Sequence, residues 1–271
     1  MKLLQGGARF FMVTIGIVVL TSLGIDASQY LSGSPSALGI LADRATEGTC
    51  PPGMVFIEQG ADDFCIDAYE ASPGPGCPVT SPRSVIDTAQ NIRSAACEPV
   101  SSAAATPWVY VSSQQARELC ARVGKRLPSN QEWFTAALGT PEDACRTNAN
   151  GLAPAEGMPE CRSGAGVLAL IGNAWEWVDE TVRAGEFAGR RLPITGYVAD
   201  ADRVGVANET EGDPQAQFYN DYFWSGTATE TAMMRGGFYG SGDDAGIYSV
   251  HAAAAPSFAS QATGFRCVHD R

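Results

Sequence analysis

The stretch VSSQQARELCARVGKRLPSNQEW, residues 111–133, contains the start signals of two short helices. Ser112 is followed three residues later by Gln115, and Ser129 is followed in the same way by Glu132. Each pair has the spacing of a capping box, in which side chains and backbone N–H groups satisfy one another in the first helical turn. The stretch therefore predicts one helix that begins at Ser112 and another that begins at Ser129. The glycines expected to end these helices are Gly124 and Gly139.

Segments with strand character flank this pair of helices. Residues 54–57 and 64–69 are rich in strand-forming side chains and are separated by turn residues, so they predict a β-hairpin. A further strand is predicted over residues 108–111, after a Pro-, Gly-, Ser- and Ala-rich segment, residues 71–106, which predicts a loop. Residues 181–230 show no clear period.

Composition argues against two broad classes of protein. Hydrophobic residues make up 45% of the 271 residues, which is enough for a core and excludes global disorder. The 18 Lys and Arg against 30 Asp and Glu give a net charge of −12 at pH 7. A surface this acidic repels phosphate, which argues against non-specific binding of nucleic acid.

The first residues have the pattern of an export signal. Lys2 and Arg9 precede an apolar run over residues 10–25, and a basic start before such a run is typical of a secretory signal. The run is short for a spanning helix, so a cleaved signal peptide and an uncleaved membrane anchor both remain open. The predicted organisation is a signal segment over residues 1–27, a linker over residues 28–49 and a folded domain over residues 50–271.

Eight cysteines predict a disulfide framework in an extracytoplasmic compartment, the periplasm or the cell surface. No C-x-x-C pair is present, which argues against structural zinc and thioredoxin-like chemistry. Proximity along the chain favours three short-range bridges and leaves Cys120 for Cys267. The predicted pairs are Cys50–Cys65, Cys77–Cys97, Cys120–Cys267 and Cys145–Cys161.

Four motifs occur in order along the folded part. They are MVFIEQGADDFCIDAYEAS (54–72), the two-helix stretch (111–133), GNAWEWV (172–178), and RGGFYG with GFRCV (235–240 and 264–268). Together they resemble the formylglycine-generating enzyme, or sulfatase-modifying factor, family. The resemblance implies an α+β fold, a loop-rich and disulfide-stapled variant of the C-type lectin fold with adjacent N- and C-terminal strands. A Cys120–Cys267 bridge also looks like a disulfide of the animal enzymes in this family.

The resemblance also implies a metal site. In the family, the GNAWEW segment supplies calcium ligands, and the matching positions here are Gly172, Ala174 and Glu176. A further oxygen ligand usually lies three residues before the glycine, where this chain has Ala169. Losing an oxygen ligand weakens a site for a hard cation.

The catalytic positions of the family are changed in this chain. The family's oxidase uses two cysteines after R-G-G to bind copper(I), and the matching residues here are Ser241 and Gly246. Neither replaces a thiolate, so we expect no catalytic residues there and no copper. Iron is not expected either, since His251 and His269 do not fit the H-x-x-x-H-x-E ligand set of the related sulfoxide synthases.

Residues 238–260 contain no Lys, Arg, Glu, Gln, Met or Trp. Every residue type present can be encoded by a codon ending in a pyrimidine, which resembles the variable region of diversity-generating retroelement proteins. A short stretch can also lack six residue types by chance, so both interpretations stay open.

Tyr, Phe, Ser, Gly and Asp on a rigid scaffold suit a binding surface. The candidate surface residues are Phe238, Tyr239, Ser241, Asp243, Asp244, Tyr248, His251 and Phe258. The region around Trp224, residues 218–224, is a further candidate for this surface, and for Trp224 itself the core is favoured.

Two functions of different classes follow. The first is an exported or membrane-tethered binding or display module for a protein or glycan ligand, without oxidase activity. The alternative is an oxidoreductase of the same family that acts on protein or small-molecule thiols through a non-standard site, with Tyr239, Asp243, Asp244 and His251 as its candidate residues.

Overall fold

The computed structural model describes residues 50–271, so the predicted signal segment and linker lie outside the described residues. Long loops connect short elements, and three helices are found in this part of the chain: α1 (Val85–Arg93), α2 (Ser113–Arg122) and α3 (Asn130–Ala137). The strands are β1 (Met54–Ile57), β2 (Phe64–Asp67), β3 (Ala71–Pro73), β4 (Pro99–Ser101), β5 (Trp175–Val182), β6 (Glu186–Phe187), β7 (Arg190–Arg191), β8 (Gly196–Ala201), β9 (Ala207–Glu211), β10 (Tyr222–Trp224), β11 (Thr231–Arg235), β12 (Val250–Ala254), β13 (Thr263–Gly264) and β14 (Val268–Asp270).

The central sheet has seven strands in the order β13-β5-β11-β12-β10-β8-β9. Its register brings three of the sequence motifs together, because β5 pairs antiparallel with β11 and places Glu176 opposite Arg235. On the other side, β13 lies parallel to β5 and places Gly264 beside Glu176. The GNAWEW, RGG and GFR motifs therefore meet at one end of the sheet.

A hydrophobic core lies on each face of this sheet. Val178 and Phe223 contribute to one core, together with the buried side of α3. Trp177 and Met234 contribute to the other, together with Leu119 of α2. The alternation of side chains along each strand produces these two cores, since neighbouring residues point to opposite faces.

A second sheet, in the order β1-β2-β14, joins the N- and C-terminal ends of the described chain. The predicted hairpin is confirmed, with β1 antiparallel to β2, and β14 pairs with the other edge of β2. All eight cysteines lie in disulfides that join the same four pairs expected from chain proximity. The Cys120–Cys267 bridge spans 147 residues and ties α2 to the segment before β14. The α+β, loop-rich, disulfide-stapled fold class is thus confirmed.

Both predicted capping boxes are present. Ser112 accepts a hydrogen bond from the N–H of Gln115, whose side chain accepts one from the N–H of Ser112. Ser129 and Glu132 make the same reciprocal pair at the start of α3. Glu132 also bonds to Arg126, which in turn reaches Asp270 of β14.

Two expectations about secondary structure are wrong. Residues 71–106 are not only loop, because α1 and the β3–β4 pair lie within them. Residues 108–111 form no strand: Trp108 is buried and Tyr110 adopts a positive φ of 59°. Residues 181–230, which show no clear period, contain β6 to β10; these strands are two to six residues long, and the β8–β9 pair is bulged. Within residues 50–271 no helix is long and apolar enough to cross a membrane.

Candidate functional site

The carboxylate of Glu176 is bound to a buried arginine at the motif end of the central sheet. Arg266 of the GFR motif donates to it from Nη2 at 2.6 Å and from Nε at 2.8 Å, and Trp133 donates from Nε1 at 2.8 Å. Both members of the ion pair are fully buried. The guanidinium is held further by the carbonyl oxygens of Asp67, Leu168 and Ala169. These contacts give Glu176 a structural role.

The same contacts bear on the predicted calcium site. Both carboxylate oxygens of Glu176 already accept charged or indole donors, so this side chain does not fit a cation ligand. Within residues 50–271 no three side chains of His, Cys, Asp or Glu are gathered as a metal site requires. Calcium held by the backbone of Gly172 and Ala174 stays a prediction, and a melting temperature measured with calcium and with a chelator tests it.

Arg235 of the RGG motif is buried behind the loop that follows it. Its Nη1 donates to Asn130 Oδ1 at 2.6 Å and its Nη2 to the carbonyl oxygen of Ile247 at 2.5 Å. The guanidinium carbon lies 5.0 Å from the centre of the Trp133 ring, within the range of a cation–π contact. The arginine therefore fastens the loop to α3.

The loop after RGG contains both positions where the family has cysteines. Ser241 Oγ accepts a hydrogen bond from the N–H of Phe238 at 3.0 Å, which closes a turn. Gly246 lies against the buried carboxylate of Asp221, and a Cβ at position 246 would overlap that carboxylate. A cysteine does not fit there. The positions that would supply a copper(I) dithiolate therefore do not fit copper.

Two carboxylates hold the backbone of this loop from beneath. Glu142 Oε1 accepts from the N–H of Ile247 at 2.9 Å, and Asp221 Oδ2 accepts from the N–H of Tyr248 at 2.6 Å. Burial raises the pKa of Glu142 to about 7. Burial and the charge of Glu142 raise the pKa of Asp221 well above its ordinary value, while Arg235 opposes this shift.

The predicted surface residues fall into separate groups of contacts. Tyr248 packs against Phe134, Phe218 and Tyr219. Tyr239, in contact with Phe238, lines a cleft of about 420 Å³. Ser241, Asp243 and Asp244 lie in the turn over 241–244, and His251 lies on β12. Phe258 is exposed in a turn near α2, where Ser113 donates a hydrogen bond to the carbonyl oxygen of Pro256.

His251 belongs to a strip of aromatic rings that crosses β12, β10 and β8. Its imidazole stacks on Trp224, with ring centres 5.8 Å apart and planes at 15°. Tyr222 lies 4.7 Å from Trp224, and Tyr197 lies 4.9 Å from Tyr222. We define these four residues as the aromatic strip. Trp224 is half-buried and packs against the second core, so the expectation that it is core holds only in part.

Sequence reasoning missed Tyr197 and Glu142, and it included Asp221 and Tyr222 only within the candidate region 218–224. A signal for Tyr222 exists in Tyr222-Phe223-Trp224, where the first and third residues share one strand face. The carboxylates carried no local signal, because Glu142 and Asp221 approach the loop from segments remote from it in sequence.

Comparison with known proteins finds similarity in sequence and in structure. Residues 141–271 match the sequence model of the sulfatase-modifying factor enzyme 1-like domain. A Bos taurus protein named inactive C-alpha-formylglycine-generating enzyme 2 is 29% identical over 127 residues, which are 38% of this chain and 41% of the bovine protein. The chain thus spans less than half of that relative.

Solved structures also match over 82% of this chain. The Major Tropism Determinant U1 variant has 18% identity, 54% of its own chain covered and a TM-score of 0.49. CarF has 14% identity, 99% coverage and a TM-score of 0.44. PvdO from Pseudomonas aeruginosa has 16% identity, 92% coverage and a TM-score of 0.41.

The sequence match contains Glu176, Arg235 and Arg266, the three residues that join the motifs in the central sheet. The resemblance to the formylglycine-generating enzyme family is confirmed by this match, which extends over residues 141–271.

Proposed function

We propose that this protein is an exported, non-oxidase binding module built on a sulfatase-modifying factor-like domain. The observation that supports it most strongly is the commitment of all eight cysteines to disulfides. The chain therefore holds no thiolate pair, and Asp221 occupies the space that a side chain at position 246 would need. The bovine relative, 29% identical, is itself named inactive.

The binding role rests on the surface around the RGG loop. Side chains at this surface are Tyr, Phe, Trp, Asp and His, and Arg235, Glu142 and Asp221 hold the backbone of residues 247 and 248 from beneath. Rigid aromatic groups supply contact area at low entropic cost. A protein or glycan ligand suits such a surface. The retroelement-diversified origin of residues 238–260 stays part of this proposal, and a nearly identical template repeat near the gene tests it.

The disulfides also support a location outside the cytoplasm. Four bridges in a chain of this size are typical of an oxidising compartment. The basic and apolar start of the sequence supports export, with either a cleaved signal or a membrane tether.

An oxidase assay tests the proposal. The purified full-length protein is incubated with copper, oxygen and a cysteine-containing peptide, and peptide aldehyde is measured by mass spectrometry. We expect no aldehyde above the rate of copper alone. Turnover that depends on the protein would overturn the proposal and favour the alternative oxidoreductase, and variants at Asp243, Asp244, Tyr239 and His251 would then identify its site.

A further inference from the structure

The aromatic strip is a part of the central sheet that no element covers completely. Phe223 points into the first core, whereas Tyr222 and Trp224 on either side of it point to the opposite face. Pairing aligns these residues across strands, with Tyr222 opposite Tyr197 and Trp224 opposite His251. All four residues are half-buried, so part of the strip remains in contact with solvent.

The buried ring of Trp175 supports the strip at the end formed by Trp224 and His251. Trp175, which is 6% exposed, meets Trp224 edge to face at 5.4 Å and His251 at 5.9 Å. This support makes the rings a preformed surface, which a ligand does not need to order. The Nδ1 atom of His251 has no hydrogen-bond partner among the described residues.

The segment over residues 204–265, which supplies three of the four rings, has an acidic surface. It contains a single Lys or Arg, Arg235, which is fully buried. Glu211 lies opposite Tyr197 in the β8–β9 pair and is exposed. Burial lowers the pKa of His251, which favours its neutral form at neutral pH.

Further carboxylates come from the loop that follows RGG, because Gly246, two residues after Asp244, lies against Asp221, the neighbour of Tyr222 in the chain. Asp244 raises the pKa of the Tyr197 hydroxyl more than any other group, and Asp243 and Asp213 raise it as well. All three come from loops rather than from the sheet itself. The strip therefore has electron-rich rings at its centre and an acidic rim.

We propose that the aromatic strip and its acidic rim bind the cationic side chain of a basic protein segment. Such a group is attracted by ring faces and by carboxylates together, and the absence of exposed Lys and Arg from residues 204–265 leaves nothing there to repel it. A neutral glycan uses the rings alone, and the acidic rim adds nothing to its binding. This inference rests on the proposed binding function and names its ligand class.

The test measures binding of an oligoarginine peptide, an oligoglutamate peptide of equal length and a neutral oligosaccharide to the full-length protein. The charge variant is D243N/D244N, and its matched control is E156Q/E160Q, which removes two exposed carboxylates elsewhere. We expect oligoarginine alone to bind, about threefold more weakly in the charge variant and unchanged in the control. We expect W224L to weaken binding by about fivefold or more.

A second measurement keeps the inference testable if the W224L variant does not fold. Trp224 is half-buried while the other four tryptophans are at most 6% exposed, so added quenchers report on the strip. Because the acidic rim attracts cations and repels anions, caesium should quench the Trp224 fluorescence more than iodide does. D243N/D244N should reduce this difference, and E156Q/E160Q should leave it unchanged.

Two results would overturn the ligand class. Equal loss of oligoarginine binding in both double variants would mean attraction to the net charge of the protein only. Binding of the oligosaccharide without the peptide would mean a glycan site, and the proposed binding function would still stand. Aldehyde formation in the oxidase assay, by contrast, would remove the proposed function itself.

Discussion

At the scale of single residues, the buried pair of Arg266 and Glu176 explains why the GFR and GNAWEW motifs occur together. The two charges are fully buried and make a bidentate contact. Burial of each charge costs free energy, which the contact and the carbonyl oxygens around the guanidinium offset. The pair fixes β5 against the segment that follows β13, rather than serving a reaction.

Removing the Glu176 charge should therefore be costly. We expect E176Q to lower the free energy of unfolding by about 3–5 kcal/mol, since the Arg266 charge is left buried without its partner. Urea denaturation measures the change. The exposed Glu186 gives a matched control, and E186Q should change stability by less than about 0.5 kcal/mol. Equal stability of the two variants would contradict the structural role.

Residue patterns predicted the pair only in part. A carboxylate between two tryptophans needs a partner, and the sequence left open whether backbone N–H groups, an arginine or a cation provides it. Arg266 is the partner because β13 lies beside β5. Glu176 and Arg266 are 90 residues apart in the sequence, so no local pattern predicts their contact.

At the scale of elements, the two capping boxes were predictable because all their atoms lie within four residues. Ser129 accepts from the N–H of Glu132 at 3.2 Å. We expect S129A to lower the free energy of unfolding by about 1 kcal/mol, since an N–H in the first turn loses its acceptor. The exposed Ser257 is the control, and S257A should leave the urea midpoint unchanged. A midpoint in S129A equal to that of the wild type would contradict the role of the cap.

Helix α1 shows the limit of this reasoning. Ser84 caps it through the N–H of Asp87, so a start signal was present. Most of its residues are polar and only Thr88 and Asn91 are buried, so the hydrophobic period that identifies a helix is missing. The strands β6 to β10 escaped prediction for a related reason, because two to six residues hold too few alternations.

The loop after RGG should make stability depend on pH. Burial raises the pKa of Glu142 in the folded state from 4.5 to about 7, so the folded protein binds more protons than the unfolded chain in that range. The contribution of Glu142 to the free energy of unfolding is therefore greatest below pH 4.5. It falls by about 2–3 kcal/mol as the pH rises to about 7.

The variant E142Q should remove most of this slope while its side-chain oxygen still accepts from the N–H of Ile247. Urea unfolding at several pH values between 5 and 8 measures it, with E156Q as the matched control that keeps the wild-type slope. Parallel profiles for the wild type and E142Q would show that Glu142 titrates normally.

At the scale of the whole molecule, the disulfides close loops of very different length. The Cys120–Cys267 bridge closes 147 residues and the Cys77–Cys97 bridge closes 20. Cross-linking lowers the entropy of the unfolded chain more for longer loops. We expect C120A/C267A to lower the free energy of unfolding by about 3–5 kcal/mol, more than C77A/C97A does. Thermal unfolding of both variants measures the order, and the reverse order would contradict this account.

Chain proximity anticipated the four disulfide pairs, because three of them close loops of 15 to 20 residues. It did not anticipate the aromatic strip, whose members lie on three strands and become neighbours only through the register of the sheet. The candidate residues over 238–258 included His251, and residues 218–224 were a further candidate, but no sequence pattern showed that His251 stacks on Trp224.

The central claim is that cysteine serves structure rather than chemistry in this protein. The most direct test counts free thiols in the unreduced, denatured full-length protein and maps its bridges by mass spectrometry. We predict no free thiol, with Cys120 joined to Cys267 and Cys145 to Cys161. Two free thiols would contradict the claim and would return thiol-based copper chemistry to consideration.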